Sequence, residues 1–155
     1  MKTKVLMVCL GNICRSPLAE GILKSKVDSK EVYVDSAGTA GYHVGNPPDP
    51  RSIFVARNHG LEIGQQRCRK FSVADFEEFD HIYVMDKSNF SNVLSLTSSE
   101  LQMKKVKLLL SELNEGIQEV PDPYYGGEDG FEKVFLLIDA ACDQIVKKLN
   151  LNGGK

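Results

Sequence analysis

A short apolar segment that ends at a cysteine constrains the fold of this chain more than any other feature. Residues 5–8 read Val-Leu-Met-Val, without the polar alternation of a half-exposed strand, and Cys9 follows them directly. Such a run is typical of a strand buried on both faces, as in a parallel sheet. After a short loop, Ser16 is the expected cap and Pro17 the first-turn residue of a helix. The stretch therefore predicts a strand, a tight loop and a helix.

The rest of the chain repeats this alternation of strands and helices. Strands are predicted over 4–9, 31–36, 80–85 and 106–110. Helices are predicted over 17–27, 50–59, 87–96 and 131–149, with a short one introduced by Ser72 and Asp75. Asp49 is the expected cap of the second of these helices and Asp86 that of the third. This order favours an α/β fold: a single-domain, three-layer α/β/α arrangement with a four-stranded parallel sheet flanked by helices. We expect residues 1–150 to form that domain and residues 151–155 to fray.

The composition and charge of the chain argue against several classes of function. A net charge of −2 over 155 residues gives no support to nucleic-acid binding. No apolar stretch is long enough to insert into a membrane, and the apolar run after the N-terminus is too short for a signal peptide. We therefore expect a cytoplasmic protein, and a monomer. Its four cysteines should be thiols there, and their spacing does not match a zinc framework, so no metal site is predicted.

The loop after the first strand has the residues of an oxyanion site. A thiolate at Cys9 would be favoured by the start of the following helix and by Arg15, since such surroundings lower a cysteine pKa from about 8.5 to roughly 3.5–7.5. Backbone N–H groups over 10–15 are placed to form an anion nest. Arg15 can grip two phosphoryl oxygens as a fork, and Ser16 can donate a hydrogen bond to the sulfur. The phosphate-loop and dinucleotide glycine patterns are absent.

Three further positions complete this chemistry. Asp122, between two prolines, is the candidate acid for the leaving oxygen and then the base for water. Ser36 and Asp86 lie near the carboxyl ends of the second and third predicted strands, where ligands bind in such sheets. We therefore expect both to lie on the same rim as Cys9.

The motifs Cys9-Leu10-Gly11-Asn12-Ile13-Cys14-Arg15-Ser16-Pro17 and Asp122-Pro123-Tyr124-Tyr125 resemble those of the low-molecular-weight protein tyrosine phosphatase family. Further matches occur at 35–39, 45–49, 58–60 and 85–89, so the resemblance extends over nearly the whole chain. It implies a phosphatase I-like fold and a two-step hydrolysis through a phosphocysteine, with neither metal nor cofactor. The implied substrate is a phosphotyrosine-containing protein, or a small aryl phosphate, and the product is inorganic phosphate.

The resemblance also implies roles for individual residues. Cys9 would be the nucleophile, Arg15 the phosphate clamp and Asp122 the acid and base. The implied substrate-binding residues are Leu10, Gly11, Asn12, Ile13, Cys14, Ser16, Tyr42, Tyr124 and Tyr125. The residues matching Asn12, Ser36 and His59 would form a hydrogen-bond network that fixes the loop, with Asp86 as a brace or simply a helix cap. Isoleucine at 13 favours phosphotyrosine, because phosphoarginine-specific relatives carry threonine there.

Alternatives remain at this stage. An arsenate reductase-like oxidoreductase uses a similar anion loop but needs a relay of resolving thiols, and a non-catalytic phosphotyrosine-binding module would usually lack the nucleophile or the acid. Cys14 is either loop packing or a redox partner of Cys9. Cys142 belongs to an apolar helix stripe. Cys68 has no role that the sequence indicates, and its flanking arginines are expected in a solvated loop.

Overall fold

The apolar run near the N-terminus forms an inner strand of a parallel sheet. The computed structural model describes residues 2–113, 116, 118–123 and 128–149, with the backbone alone at 128 and 129. The strands are β1 (Thr3–Cys9), β2 (Val32–Gly38), β3 (His81–Val84) and β4 (Val106–Leu108). They are parallel and lie in the order β2-β1-β3-β4, so β1 is paired on both edges. The predicted fold class is confirmed.

Helices connect these strands and cover both faces of the sheet. They are α1 (Arg15–Lys26), α2 (Pro50–Asn58), α3 (Asp75–Glu78), α4 (Lys87–Leu94), α5 (Glu100–Met103) and α6 (Glu128–Leu149). Helices α1, α2 and α6 pack on one face, while α3 and α4 pack on the other. Within the described ranges, no helix has both the length and the apolar character needed to cross a membrane.

The side chains of β1 alternate between two hydrophobic cores. Val5 and Met7 face the core shared with α1, α2 and α6, whereas Leu6 and Val8 face the core shared with α3 and α4. All four side chains are completely buried. Full burial of an aliphatic side chain contributes about 1.5–3 kcal/mol, so both faces stabilise this strand. The two cores hold this strand in place, so Cys9 lies at a fixed point at the carboxyl end of the sheet.

Of the four predicted helix caps, those at Asp49 and Asp86 are present. The carboxylate of Asp49 accepts a hydrogen bond from the Arg51 amide at the start of α2, and Asp86 caps α4 in the same way. The prediction that Ser16 caps α1 is wrong. The helix already begins at Arg15, with Cys14 at the cap position and no side-chain cap, because the hydroxyl of Ser16 turns instead to the sulfur of Cys9.

Other boundaries differ from the sequence prediction by a few residues. Strand β2 continues through Gly38, and β4 is shorter than predicted because a 3-10 turn, Leu109–Glu112, replaces its end. Helix α6 begins at Glu128, and the short helix α5 was not predicted. The predicted pair at the start of α3 is present in part: Asp75 accepts a hydrogen bond from the Ser72 amide, but Ala74 is the cap residue.

The end of β2 lies so close to the loop after β1 that a side chain has no room there. A Cβ atom on Gly38 would lie 2.7 Å from the carbonyl oxygen of Leu10 and 3.0 Å from the amide nitrogen of Asn12. These are backbone atoms, which cannot move aside as the end of a flexible side chain can. Gly38 therefore sets the position of the loop against the sheet.

We predict that Gly38→Ala destabilises the protein by about 1–3 kcal/mol, the usual cost of overpacking. At about 2–4 °C per kcal/mol for a chain of this size, calorimetry should show a Tm lower by about 2–12 °C. Gly41→Ala is the matched control, since its Cβ would meet its nearest atoms at 3.5 and 3.8 Å, which are ordinary contacts. Equal Tm values for the two variants would contradict the assignment.

Candidate active site

The sulfur of Cys9 lies at the carboxyl end of β1 and makes two hydrogen bonds. The hydroxyl of Ser16 is 3.0 Å from it and the amide nitrogen of Asn12 is 3.3 Å from it. Cys9 is only 2 % exposed. Both donors are placed to solvate a thiolate, which is the nucleophilic form of cysteine.

A chain of hydrogen bonds determines which way the Ser16 proton points. The side-chain nitrogen of Asn12 donates one hydrogen to Ser16 at 2.8 Å and the other to Ser36 at 3.0 Å. Ser36 donates its own hydrogen to Glu20 at 2.6 Å. Since Ser16 accepts from Asn12, its proton is available for Cys9, and its other acceptor, the Ala37 carbonyl, is more distant at 3.5 Å.

The structure brings Asn12 and Ser36 together but not His59, and the prediction that His59 belongs to this network is wrong. His59 follows α2, and its ring stacks on Phe135 of α6 with 3.9 Å between ring centroids. Its Nε2 atom lies 3.0 Å from the Glu132 carboxylate. Helix α2 packs against α6, so the imidazole faces that helix rather than the loop. His59 therefore joins two helices.

Glu20 terminates the network, and sequence reasoning missed it. Ser16 and Glu20 are four residues apart on α1, a spacing that places both on the same helix face, and this is the signal that was available. Burial raises the pKa of Glu20, while hydrogen bonds from Lys24 and Ser36 act against that shift. The ammonium group of Lys24 lies 2.6 Å from the Glu20 carboxylate.

Arg15 is a buried cation, 3 % exposed, that faces two carboxylates. Its Nη1 donates to Asp86 at 2.7 Å and to the carbonyl of Val120 at 2.9 Å, and its Nη2 lies 3.8 Å from Asp122. Burial disfavours the charged form, but the charge at Cys9 and the Asp86 hydrogen bond outweigh it, so the pKa of Arg15 is raised. Asp86 is therefore both the cap of α4 and the brace of Arg15.

These groups surround a cavity of about 160 Å³. It is lined by Cys9, Leu10, Gly11, Ile13, Cys14, Arg15, Tyr42, His43 and Asp122. Tyr42 stands at the rim, 75 % exposed. Sequence reasoning missed His43, whose ring packs beside Gly11, and only its position next to Tyr42 pointed to it. Tyr124 and Tyr125, also predicted to line the site, lie outside the described residues.

The remaining cysteines lie in different surroundings, and all four are free thiols. Cys14 is buried below the loop, and burial, with Asp49 and Cys9 nearby, raises its pKa to about 12. Cys142 is fully buried in the core, as predicted. The thiol of Cys68 contacts the backbone carbonyl of Asn12 at 2.7 Å.

The prediction of a solvated loop around Cys68 is wrong for one of its two arginines. Arg67 is exposed, but Arg69 pairs with Asp35 and with Asp75 through its guanidinium group. Its backbone amide also donates to the Asn12 side chain at 2.9 Å. The segment is therefore fixed against the loop after β1.

The cavity thus joins a thiol, a cation and a carboxyl group around a space suited to a tetrahedral oxyanion. In the described parts of the chain, no three His, Cys, Asp or Glu side chains are arranged to hold a metal ion. A thiol with these neighbours can displace an ester oxygen from phosphorus, with a carboxylic acid as the proton donor.

Comparison with known proteins leads to the same family that the sequence motifs resemble. Residues 4–154 match the model of the family described as low molecular weight phosphotyrosine protein phosphatase. The phosphatase of that name from Schizosaccharomyces pombe is 41 % identical over 143 residues, covering 88 % of this chain and 90 % of the relative. Low molecular weight phosphotyrosine protein phosphatase 1 of Drosophila melanogaster is 40 % identical over 152 residues, covering 96 % and 97 %.

A solved structure shares the fold as well as the sequence pattern. The protein tyrosine phosphatase from Entamoeba histolytica superimposes with a TM-score of 0.91 at 36 % identity, over 96 % of this chain and 97 % of that one. Sequence, fold and cavity agree, and the chain belongs to the low molecular weight phosphotyrosine protein phosphatase family.

Proposed function

We propose that this phosphatase hydrolyses phosphotyrosine in proteins through a phosphocysteine formed on Cys9. One observation carries the assignment of residues: Cys9, Arg15 and Asp122 line the same cavity, with the last two 3.8 Å apart. The products are the dephosphorylated protein and inorganic phosphate. No step in this scheme uses a cofactor.

In the first step the Cys9 thiolate attacks phosphorus while Arg15 holds two phosphoryl oxygens. An S–P bond forms and the P–O bond to the tyrosine breaks. The carboxylic acid of Asp122 gives its proton to the leaving phenolate oxygen. The hydroxyl of Ser16, directed at the sulfur, supports the thiolate before the attack.

In the second step water attacks the phosphocysteine. The Asp122 carboxylate takes a proton from this water, a P–O bond forms and the S–P bond breaks. Phosphate leaves, Cys9 returns to a thiolate, and Asp122 again carries the proton for the next cycle.

The walls of the cavity support an aryl substrate. Leu10, Ile13 and Tyr42 supply apolar surface around the nucleophile, as a phenyl ring requires. An arsenate reductase relay would need thiolates beside Cys9, yet the pKa values of Cys14 and Cys68 are raised to about 12 and about 11. The phosphatase reaction accounts for Asp122, which a thiol relay does not use.

We further propose a cytoplasmic location. The reaction requires a reduced Cys9, and all four cysteines are free thiols, which suits a reducing compartment. The monomeric state and the redox pairing of Cys9 with Cys14 stay predictions from the sequence.

Replacing the nucleophile provides the first test. We expect Cys9→Ser to abolish turnover of p-nitrophenyl phosphate, because a serine hydroxyl has no comparable ionised form at neutral pH. Cys142→Ser is the control. It removes a core thiol that does not line the cavity, so the folded protein should still hydrolyse p-nitrophenyl phosphate. Appreciable activity in the Cys9 variant, assayed by release of nitrophenol, would sink the mechanism.

Replacing Asp122, the proposed proton donor, should slow two substrates to different extents. We expect Asp122→Asn to lower kcat by about 10²–10⁴-fold with phenyl phosphate, the usual contribution of general acid catalysis. The loss should be smaller with p-nitrophenyl phosphate, whose leaving group needs less protonation, and orthovanadate should still bind. The exposed Asp28→Asn is the control. An equal loss with both substrates would exclude Asp122 as the acid.

Ile13 should govern the choice between phosphotyrosine and phosphoarginine. We expect the native enzyme to prefer a phosphotyrosine peptide, and Ile13→Thr to shift the ratio of kcat/KM values toward phosphoarginine by about 10-fold, the scale of small changes in an apolar pocket. Parallel phosphate-release assays on the two substrates measure this ratio. An unchanged ratio would show that Ile13 does not select the substrate.

A further inference from the structure

Asn12 holds a backbone conformation that must be imposed by its surroundings. Its φ angle is 58°, and no other non-glycine residue in the described ranges has a positive φ. Side chains other than glycine rarely adopt this region. The strain lies beside the nucleophile, because the amide of Asn12 is the one that donates to the Cys9 sulfur at 3.3 Å.

Every polar group of Asn12 has a partner, and two of these partners lie in one distant segment. The thiol of Cys68 contacts the Asn12 carbonyl oxygen at 2.7 Å, and the amide of Arg69 donates to the Asn12 side-chain oxygen at 2.9 Å. The first contact fixes the peptide unit after Asn12. The second fixes the amide orientation, so that the side-chain nitrogen is the atom that faces Ser16 and Ser36.

We propose that Cys68 is a positioning residue, which holds the amide of Asn12 on the Cys9 sulfur by donating its S–H hydrogen to the Asn12 carbonyl. The inference rests on the proposed role of Cys9 as the nucleophile. Donation requires a protonated thiol, and burial raises the pKa of Cys68 to about 11, with the charge at Cys9 acting in the same direction. Cys68 therefore keeps its proton at neutral pH.

The segment that carries Cys68 is itself well anchored. The backbone of Cys68 accepts from the Gly45 amide and donates to the Asn46 carbonyl, both at 2.8 Å. These bonds tie it to the loop that also carries Tyr42 and His43 of the cavity. Arg69 accepts from the Gly38 amide at 2.9 Å, which extends the edge of β2. The thiol is thus presented from a fixed support.

Three variants distinguish positioning from simple space filling. Cys68→Val keeps similar volume without a donor, and Cys68→Ser restores a donor. Cys142→Val removes a buried thiol that does not line the cavity. The measurements are the inhibition constant for orthovanadate, the pH dependence of Cys9 alkylation by iodoacetamide, kcat and KM for p-nitrophenyl phosphate, and Tm.

We expect Cys68→Val to weaken orthovanadate binding by about 3- to 10-fold, the scale of one lost hydrogen bond, and to move the alkylation midpoint to higher pH. Cys68→Ser should recover most of both values. Cys142→Val should change Tm alone. Should Cys68→Val fail to fold, Cys68→Ala serves with the same expectations.

An unchanged orthovanadate inhibition constant and alkylation midpoint in Cys68→Val or Cys68→Ala would overturn the proposal. Equal shifts of these two quantities in Cys142→Val, or no recovery of them in Cys68→Ser, would do the same. Failure of the proposed function is recognised separately, because it would appear as turnover by Cys9→Ser in an otherwise native chain.

Discussion

The buried guanidinium of Arg15 is the charge on which the rest of the site depends. An arginine at 3 % exposure is tolerated only when its hydrogen-bonding groups and its charge are matched by neighbours. Those neighbours come from separate parts of the chain: Asp86 from the start of α4, the Val120 carbonyl from the segment before Asp122, and the sulfur from the end of β1. The requirement to match one cation therefore brings Cys9 and Asp122 to the same rim.

A second constraint acts on the loop itself, through hydrogen-bond direction rather than charge. An amide nitrogen has two hydrogens to donate, and Asn12 uses both, so Ser16 and Ser36 must be acceptors in those bonds. Each serine has one hydrogen left: Ser36 gives it to Glu20, and Ser16 has its nearest acceptor in Cys9. The orientation of a single amide thus determines whether the Cys9 sulfur receives a hydrogen bond from Ser16.

Most of the fold and the centre of the site could be predicted from local sequence. The unbroken apolar run over residues 5–8 indicated an inner parallel strand, and Asp49 and Asp86 were recognisable as caps, because these signals depend on neighbours within a few residues. The placement of Cys9 and Arg15 around one loop could be predicted for the same reason, because the two residues lie close together in the sequence.

The contacts that sequence reasoning missed join positions far apart in the chain. Cys68 lies 56 positions from Asn12, and nothing in its own neighbourhood indicates a carbonyl acceptor. His59 was placed on the loop by resemblance, but the packing of α2 on α6 turns it toward Glu132. The spacing of Glu20 from Ser16 on α1 was visible in the sequence. The partner of Glu20 was not, because Ser36 comes from a different element, β2.

The two carboxylates beside Arg15 differ in their distance from the guanidinium and in their exposure. Asp86 is held at both oxygens, one by Arg15 and the other by the Asn89 amide at the start of α4, so it is fixed as a structural anion. Asp122 lies 3.8 Å from the guanidinium, and its side chain is 38 % exposed in the cavity wall. In the proposed mechanism the proton donor must reach the leaving oxygen and then a water molecule, and the exposed position of Asp122 in the cavity wall suits that role. In that mechanism Arg15 would be anchored by Asp86 while it holds the substrate beside Asp122.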